Sequence, residues 1–147
     1  MQHTVLAESI LPFGRVAIAS ILVAALGGCS QRGSGLEGTY ITSIAESDAP
    51  QNAPADLREN AVGRWRIHLM DGKLRVTRGG ELAAEGTYQV AGTQVTFNDT
   101  KGPAACQGQA GTYTWARSGG ELSFTDASDP CEGRKMVLTS RPLAVRP

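Results

Sequence analysis

From residue 64 to near the end of the chain, apolar residues fall at every second position, in short runs separated by glycine-rich pairs. Trp65, Ile67 and Leu69 alternate with Arg64, Arg66 and His68, and Leu74 and Val76 with Lys73 and Arg75. Leu82, Ala84, Gly86, Tyr88 and Val90 share one parity, as do Val95 and Phe97, Tyr113 and Trp115, Leu122 and Phe124, and Met136 and Leu138. A period of two puts successive side chains on opposite faces of a strand, so each run reads as a strand with one buried face. Asp71-Gly72 is a strong hairpin turn, because both positions tolerate positive φ. Gly79-Gly80, Ala91-Gly92 and Gly119-Gly120 mark further tight turns. The pattern predicts eight strands, near 37–44, 64–70, 73–78, 81–90, 93–98, 109–117, 120–126 and 135–140.

Eight consecutive short strands with mostly tight turns predict an all-β, antiparallel up-and-down barrel, the arrangement that leaves no open sheet edge. One segment interrupts the meander. Residues 45–62 hold Ala, Pro and Asn, then Ala55-Asp56-Leu57-Arg58-Glu59-Asn60. Pro54 suits a helix start and Asp56 its first turn, so one short helix is expected between strands 1 and 2. Glu37-Gly38-Thr39-Tyr40 recurs as Glu85-Gly86-Thr87-Tyr88 and in part as Gly111-Thr112-Tyr113. Repeated hairpins of this kind fit a meander.

The first residues read as an address. Residues 16–28, VAIASILVAALGG, form an uncharged run after Arg15. As a helix, such a run rises only about 20 Å, short of a hydrocarbon core of about 30 Å. A short apolar core that ends in small residues is a secretory signal. Leu26-Gly27-Gly28-Cys29 resembles the bacterial lipobox. The resemblance implies cleavage after Gly28, a diacylglycerol on the Cys29 thiol and acylation of the new amine. The organisation then reads as a signal peptide over 1–28, a lipidated tether over 29–35, a barrel over 36–141 and a tail over 142–147. The expected location is extracytoplasmic, lipid-anchored to the bacterial membrane, and to the outer membrane where the host has one.

Fourteen basic residues balance 14 acidic ones, a neutral balance that argues against electrostatic steering to nucleic acid or to anionic lipid, so anchoring is expected from the acyl chains. With Cys29 lipidated, Cys106 and Cys131 remain as an even pair in an oxidising compartment. In a meander they fall in connections 5–6 and 7–8, at the same end as segment 45–62, so a bridge between them is sterically reasonable. Two unpaired thiols are the alternative.

The order of lipobox, strand, short helix and meander resembles the lipocalin-type (calycin) barrels of bacterial lipoproteins. Gly63-Arg64-Trp65 resembles the lipocalin Gly-x-Trp signature, and Arg141 the arginine that covers its tryptophan. Gly38-Thr39-Tyr40 stands where the family has that motif, with Tyr for Trp. Segment 85–141 also resembles a recurrent domain of bacterial secreted proteins, with GTY…F, a Cys loop, GTY-x-W and a DPC-x-GR loop. These resemblances imply a fold more than an activity.

Catalytic chemistry finds little support in the residues, and the expectation is a non-enzyme without cofactor or metal. His68 is the one histidine beyond the signal and sits on the outward parity of its strand. No nucleophile elbow, phosphate loop or metalloprotease helix occurs. Asp99, Asp126, Asp129 and Glu132 gather at the cysteine end, but their spacing matches no EF-hand loop, and Lys101, Arg134 and Lys135 stand nearby to pair with them. Tyr40, Trp65, Tyr88, Tyr113 and Trp115 share the inward parity and are the candidate ligand-binding residues. Two functions follow: a lipid-anchored barrel that binds a small, partly apolar ligand, or a structural or interaction lipoprotein whose barrel is filled. The interior volume separates them, a void above about 300 Å³ favouring the first.

Overall fold

The alternation closes on itself. In the computed structural model, which describes residues 35–147, eight strands form one closed antiparallel barrel in sequence order. They are β1 (Gly38–Ile44), β2 (Gly63–Met70), β3 (Lys73–Arg78), β4 (Glu81–Ala91), β5 (Gln94–Lys101), β6 (Ala110–Ser118), β7 (Glu121–Ser128) and β8 (Leu143–Arg146). The expected signal peptide, Cys29 and nearly all of the tether lie outside the described residues. The expected short helix is present as α1 (Ala55–Ala61), between β1 and β2.

The end of the chain differs from expectation. Residues 135–140, read as the eighth strand, belong to a helix, α2 (Glu132–Thr139), and strand β8 comes later. The spacing of Met136 and Leu138 suggested a strand, yet Met136, Val137 and Leu138 are all buried, which a half-buried strand does not allow. Cys131 caps the helix, its sulfur accepting from the Arg134 backbone N–H at 3.4 Å. Residues 142–147 are therefore no tail. They contain the strand that closes the barrel, with Leu143 and Leu122 opposite each other on the β7 side and Tyr40 opposite Val145 on the β1 side.

The inward residues divide into two groups. Tyr40, Leu69, Tyr88, Val95, Phe97, Tyr113, Leu122, Phe124 and Leu143 pack with Leu36 into the larger core. Phe97, Tyr113 and Phe124 stand with ring centroids 5.7–5.8 Å apart in tilted or edge-on contact, which suits the aromatic quadrupole. A second group, with Ile44, Ala49, Ala61, Trp65, Ala83, Met136 and Val137, seats the helices on the barrel end that carries connections 1–2 and 7–8.

The recurring Gly-Thr-Tyr has a packing cause. A Cβ on Gly86 would meet the Asn98 carbonyl oxygen, and one on Gly111 would meet the Asp129 carboxylate. At Gly86 the backbone of the neighbouring strand, and at Gly111 the side chains of Asp129 and Arg134, leave no room for a Cβ. The following tyrosines, Tyr88 and Tyr113, then point inward and are buried.

Candidate functional site

Beneath the helices the barrel is hollow. A cavity of ≈540 Å³ lies between the inner wall and the helical end. Its wall is mainly apolar: Ile67, Leu74, Val76, Ala84 and Phe97 come from the strands, Leu57 and Ala61 from α1, and Val137 and Leu138 from α2. Exposed residues Asn60, Glu81, Pro103 and Ala104 belong to its lining too, so the space reaches the surface between α1, the β3–β4 turn and the connection after β5. Size and lining are those of a small-molecule pocket.

Of the five candidate aromatics, only Trp65 lines this space. Its indole Nε1 donates to the Ala61 carbonyl at 2.7 Å, which ties β2 to the end of α1. Tyr40, Tyr88 and Tyr113 are buried in the filled part of the barrel, and Trp115 is half-buried with its ring near Gly35. Tyr40 donates to the Leu36 carbonyl at 2.7 Å, and burial raises its hydroxyl above the ordinary phenol range. Inward parity identified these residues as interior but could not tell the packed half from the hollow one.

The arginine expected over Trp65 is also a different one. Arg141 instead pairs with Asp48 at 3.2 Å and reaches the Ser43 carbonyl. Arg78 covers the indole, its guanidinium carbon 5.6 Å from the ring centroid, and donates to the Val62 and Glu59 carbonyls. Arg78 is the last residue of β3, where the β3–β4 turn brings it over the start of β2.

The closed eight-stranded architecture is compatible with a lipocalin-like fold. Comparison with known family models, curated proteins and solved structures finds no match. The geometry of the site therefore carries the functional argument by itself.

At one side of the cavity stands a buried ionic network that the spacing of residues only hinted at. The Arg134 guanidinium lies between two buried carboxylates. Its Nε is 2.7 Å from Asp129 Oδ2, its Nη2 is 2.8 Å from Asp129 Oδ1, and its Nη1 is 3.0 Å from Asp99 Oδ2. Asp129 also accepts from the Tyr113 hydroxyl and from the Cys131 backbone N–H, and Asp99 from the Cys106 backbone N–H at 2.9 Å. Of the four acids expected at this end, Asp99 and Asp129 are thus brought together around an arginine, whereas Asp126 and Glu132 are exposed and Glu132 pairs with Lys135. Cys106 and Cys131 stand at disulfide distance with Cα atoms 6.0 Å apart, as same-end placement predicted. Sulfur atoms so bridged are not free thiolate ligands, although Asp99 lies within reach of both.

The network sets protonation states. Burial raises the Asp129 carboxyl, but the hydrogen bonds from Arg134, Tyr113 and Cys131 outweigh it and hold the group below its usual range. Burial and the Asp129 charge push the Tyr113 phenol well above its ordinary value, so it stays a donor. A depressed carboxylate contributes stability that is fully present above its unfolded pKa, about 3.9, and is lost as pH falls through the lower folded value. Acid unfolding followed by tryptophan fluorescence should therefore steepen below about pH 4, and Asp129→Asn should flatten that limb. An unchanged acid limb in the variant would remove Asp129 as its cause.

His68, expected outward, is half-buried on the outer face, with Nδ1 2.9 Å from the Thr39 hydroxyl oxygen. No helix among the described residues is long and apolar enough to cross a membrane.

Proposed function

We propose that this chain is a lipid-anchored, extracytoplasmic lipocalin-like protein that holds a small, mainly apolar ligand in its barrel and performs no chemistry on it. The observation that carries this reading is the apolar cavity of ≈540 Å³ under the two helices. It exceeds the volume that separates a binding barrel from a filled one. The polar groups beside it, Asp99 and Arg134, are engaged in the ion network rather than arranged as an acid–base pair on an open site. The filled half of the barrel favours the second reading, a structural or interaction lipoprotein, and the decisive measurement is occupancy.

Native mass spectrometry of the protein taken from its host membranes should find a co-purifying small molecule. A substitution gives an independent check. Gly133 lines the cavity on α2, and a Cβ there meets nothing within 4 Å. Gly133→Phe should fill the space without unfolding the barrel. It should weaken binding of the apolar fluorophore N-phenyl-1-naphthylamine by about tenfold, or about 1.4 kcal/mol. Equal binding by both proteins, together with an empty native spectrum, would favour the filled-barrel reading.

The anchor rests on Leu26-Gly27-Gly28-Cys29. Cys29→Ser should abolish incorporation of labelled palmitate and leave an unprocessed precursor or an aqueous-phase protein. A variant that still fractionates with membranes in the same processed, labelled form would refute lipidation at this residue. More than one acyl chain is expected, because a single chain gives only marginal membrane affinity.

A further inference from the structure

We infer that the outer face of β1, β2, β3 and β8 docks on anionic phospholipid headgroups. The chain carries equal numbers of acidic and basic residues, yet its cations are unevenly placed. Strand alternation turns Arg64, Arg66 and His68 of β2, Lys73 and Arg75 of β3 and Arg146 of β8 to one outer surface. The register sets them side by side: His68 stands opposite both Thr39 and Arg75, and Thr39 stands opposite Arg146. Among the described residues the side chains of Arg64, Arg66, Lys73 and Arg146 have neither a hydrogen bond nor an ion pair, whereas Arg75 is held by Glu85 and His68 by the Thr39 hydroxyl. Glu85 is shared with Lys101 at 2.7 Å, so that acid does not neutralise the face. Glu37 and Asp71 border it at the β2–β3 turn end.

A depression of ≈260 Å³ on this face is lined by Thr39, Arg66, His68, Arg75 and Thr77, a set of donors suited to a phosphate diester. When the Thr39 hydroxyl donates to His68 Nδ1, His68 Nε2 carries the proton and remains a donor.

The choice of a membrane as occupant rests on the proposed anchor at Cys29. Fully extended, the chain from Cys29 to Gly38 spans at most about 30 Å, so it keeps β1 near the bilayer. Strand β1 belongs to the basic face itself. Gly38 pairs with Leu69, so the tether joins the barrel beside Met70, the exposed large apolar side chain among the described residues. Met70 stands opposite Lys73 on β3, with the acids Asp71 and Glu37 on its other sides, so the cations that meet the headgroups are those further along the face.

The test uses the full chain carrying Cys29→Ser, so that no acyl chain contributes. Its partition is measured into vesicles of phosphatidylcholine alone and of phosphatidylcholine with phosphatidylglycerol. Residues 16–28 carry no charge and Arg15 is common to every variant, so the readout is the ratio of the two partition coefficients, compared between variants. We expect a preference for the anionic vesicles that falls about fivefold per cation lost and disappears at high salt. Arg66→Glu with Arg146→Glu should abolish it. Gln89→Glu, Gln94→Glu, Ser118→Glu and Thr125→Glu together, an equal change of charge at exposed sites on β4–β7, should leave most of it. No anionic preference in the parent chain, or equal losses in both variants, overturns the assignment. So does displacement by a soluble polyanion without vesicle preference. Palmitate labelling of the unsubstituted chain tests the anchor separately. Preference by an unacylated chain supports the face by itself, and acylation without preference overturns the face while leaving the anchor.

Discussion

Arg134→Met is expected to lower the unfolding free energy by about 3–5 kcal/mol, read as a shift in the urea midpoint. The side chain of Arg134 is 8% exposed and those of Asp99 and Asp129 are 2% and 0% exposed. Removing the cation leaves two carboxylates facing each other with little solvent, and breaking a buried pair from one side is far costlier than replacing all of it. A triple variant, Arg134→Met with Asp99→Asn and Asp129→Asn, should therefore recover a large part of the loss. Both amides keep an oxygen to accept from the Cys106 and Cys131 backbone N–H groups. A loss below about 1 kcal/mol in the single variant would mean that water reaches the network and screens it. Amide exchange should quicken first in 102–109 and in α2, because Arg134 also donates to the Gln109 carbonyl at 2.6 Å.

The second large effect concerns the bridge. Cys106 and Cys131 are 25 residues apart in sequence, and closing a loop of that size contributes about 3.5 kcal/mol in the chain-entropy account. Cys106→Ala with Cys131→Ala should lose about that much without changing strand pairing. The loss should appear as a lowered denaturation midpoint and as faster exchange in α1, α2 and the connection after β5, while β3–β5 stay protected. The two predictions are not independent. Asp99 and Asp129 hold the backbone N–H groups of the two cysteines, so a double-mutant cycle between bridge and network should give a coupling of about 0.5–3 kcal/mol. Additive losses would show that the carboxylates do not position the cysteines. Non-reducing peptide mapping that finds both thiols alkylatable would end the first half of the argument.

The first seven strands and their order were readable from period two, because each strand has one wet and one dry face. The up-and-down barrel followed from them, although the same period places its closing strand at 135–140 instead of Leu143–Arg146. The cysteine pair was readable because a meander sends alternate connections to the same end. The last element was not. Met136 and Leu138 carry the strand parity, but residues covered by a barrel end and by a neighbouring helix need no single face, so periodicity loses its meaning there. The site was half legible for a related reason. Alternation tells which side chains point inward, and it does not tell at what height the interior stops being filled. Tyr88 and Tyr113 sit among other rings and Tyr40 packs in the same cluster, whereas Trp65 lines the hollow together with Val76 and Ala84. Arg134 could be suspected as a partner for nearby acids. That it would be buried between two of them depends on α2, which the sequence pattern misplaced.

The seam between the first and last strands sets an order of events for this chain. Strand β8 has four residues, pairs with β1 at Thr39–Ile41, and meets β7 only at Glu121 and Leu122. The barrel cannot close until Leu143–Arg146 has left the ribosome and, on the proposed route, crossed the membrane. Until then β1 and β7 present open edges, each able to pair with another chain. A nascent β1 must also wait for a partner from the far end of the domain, a non-local pairing of the kind that slows β topologies. On that proposed route, holding the edge apart from its neighbours falls to whatever receives the chain on the far side, and premature truncation before Leu143 would make the wait permanent.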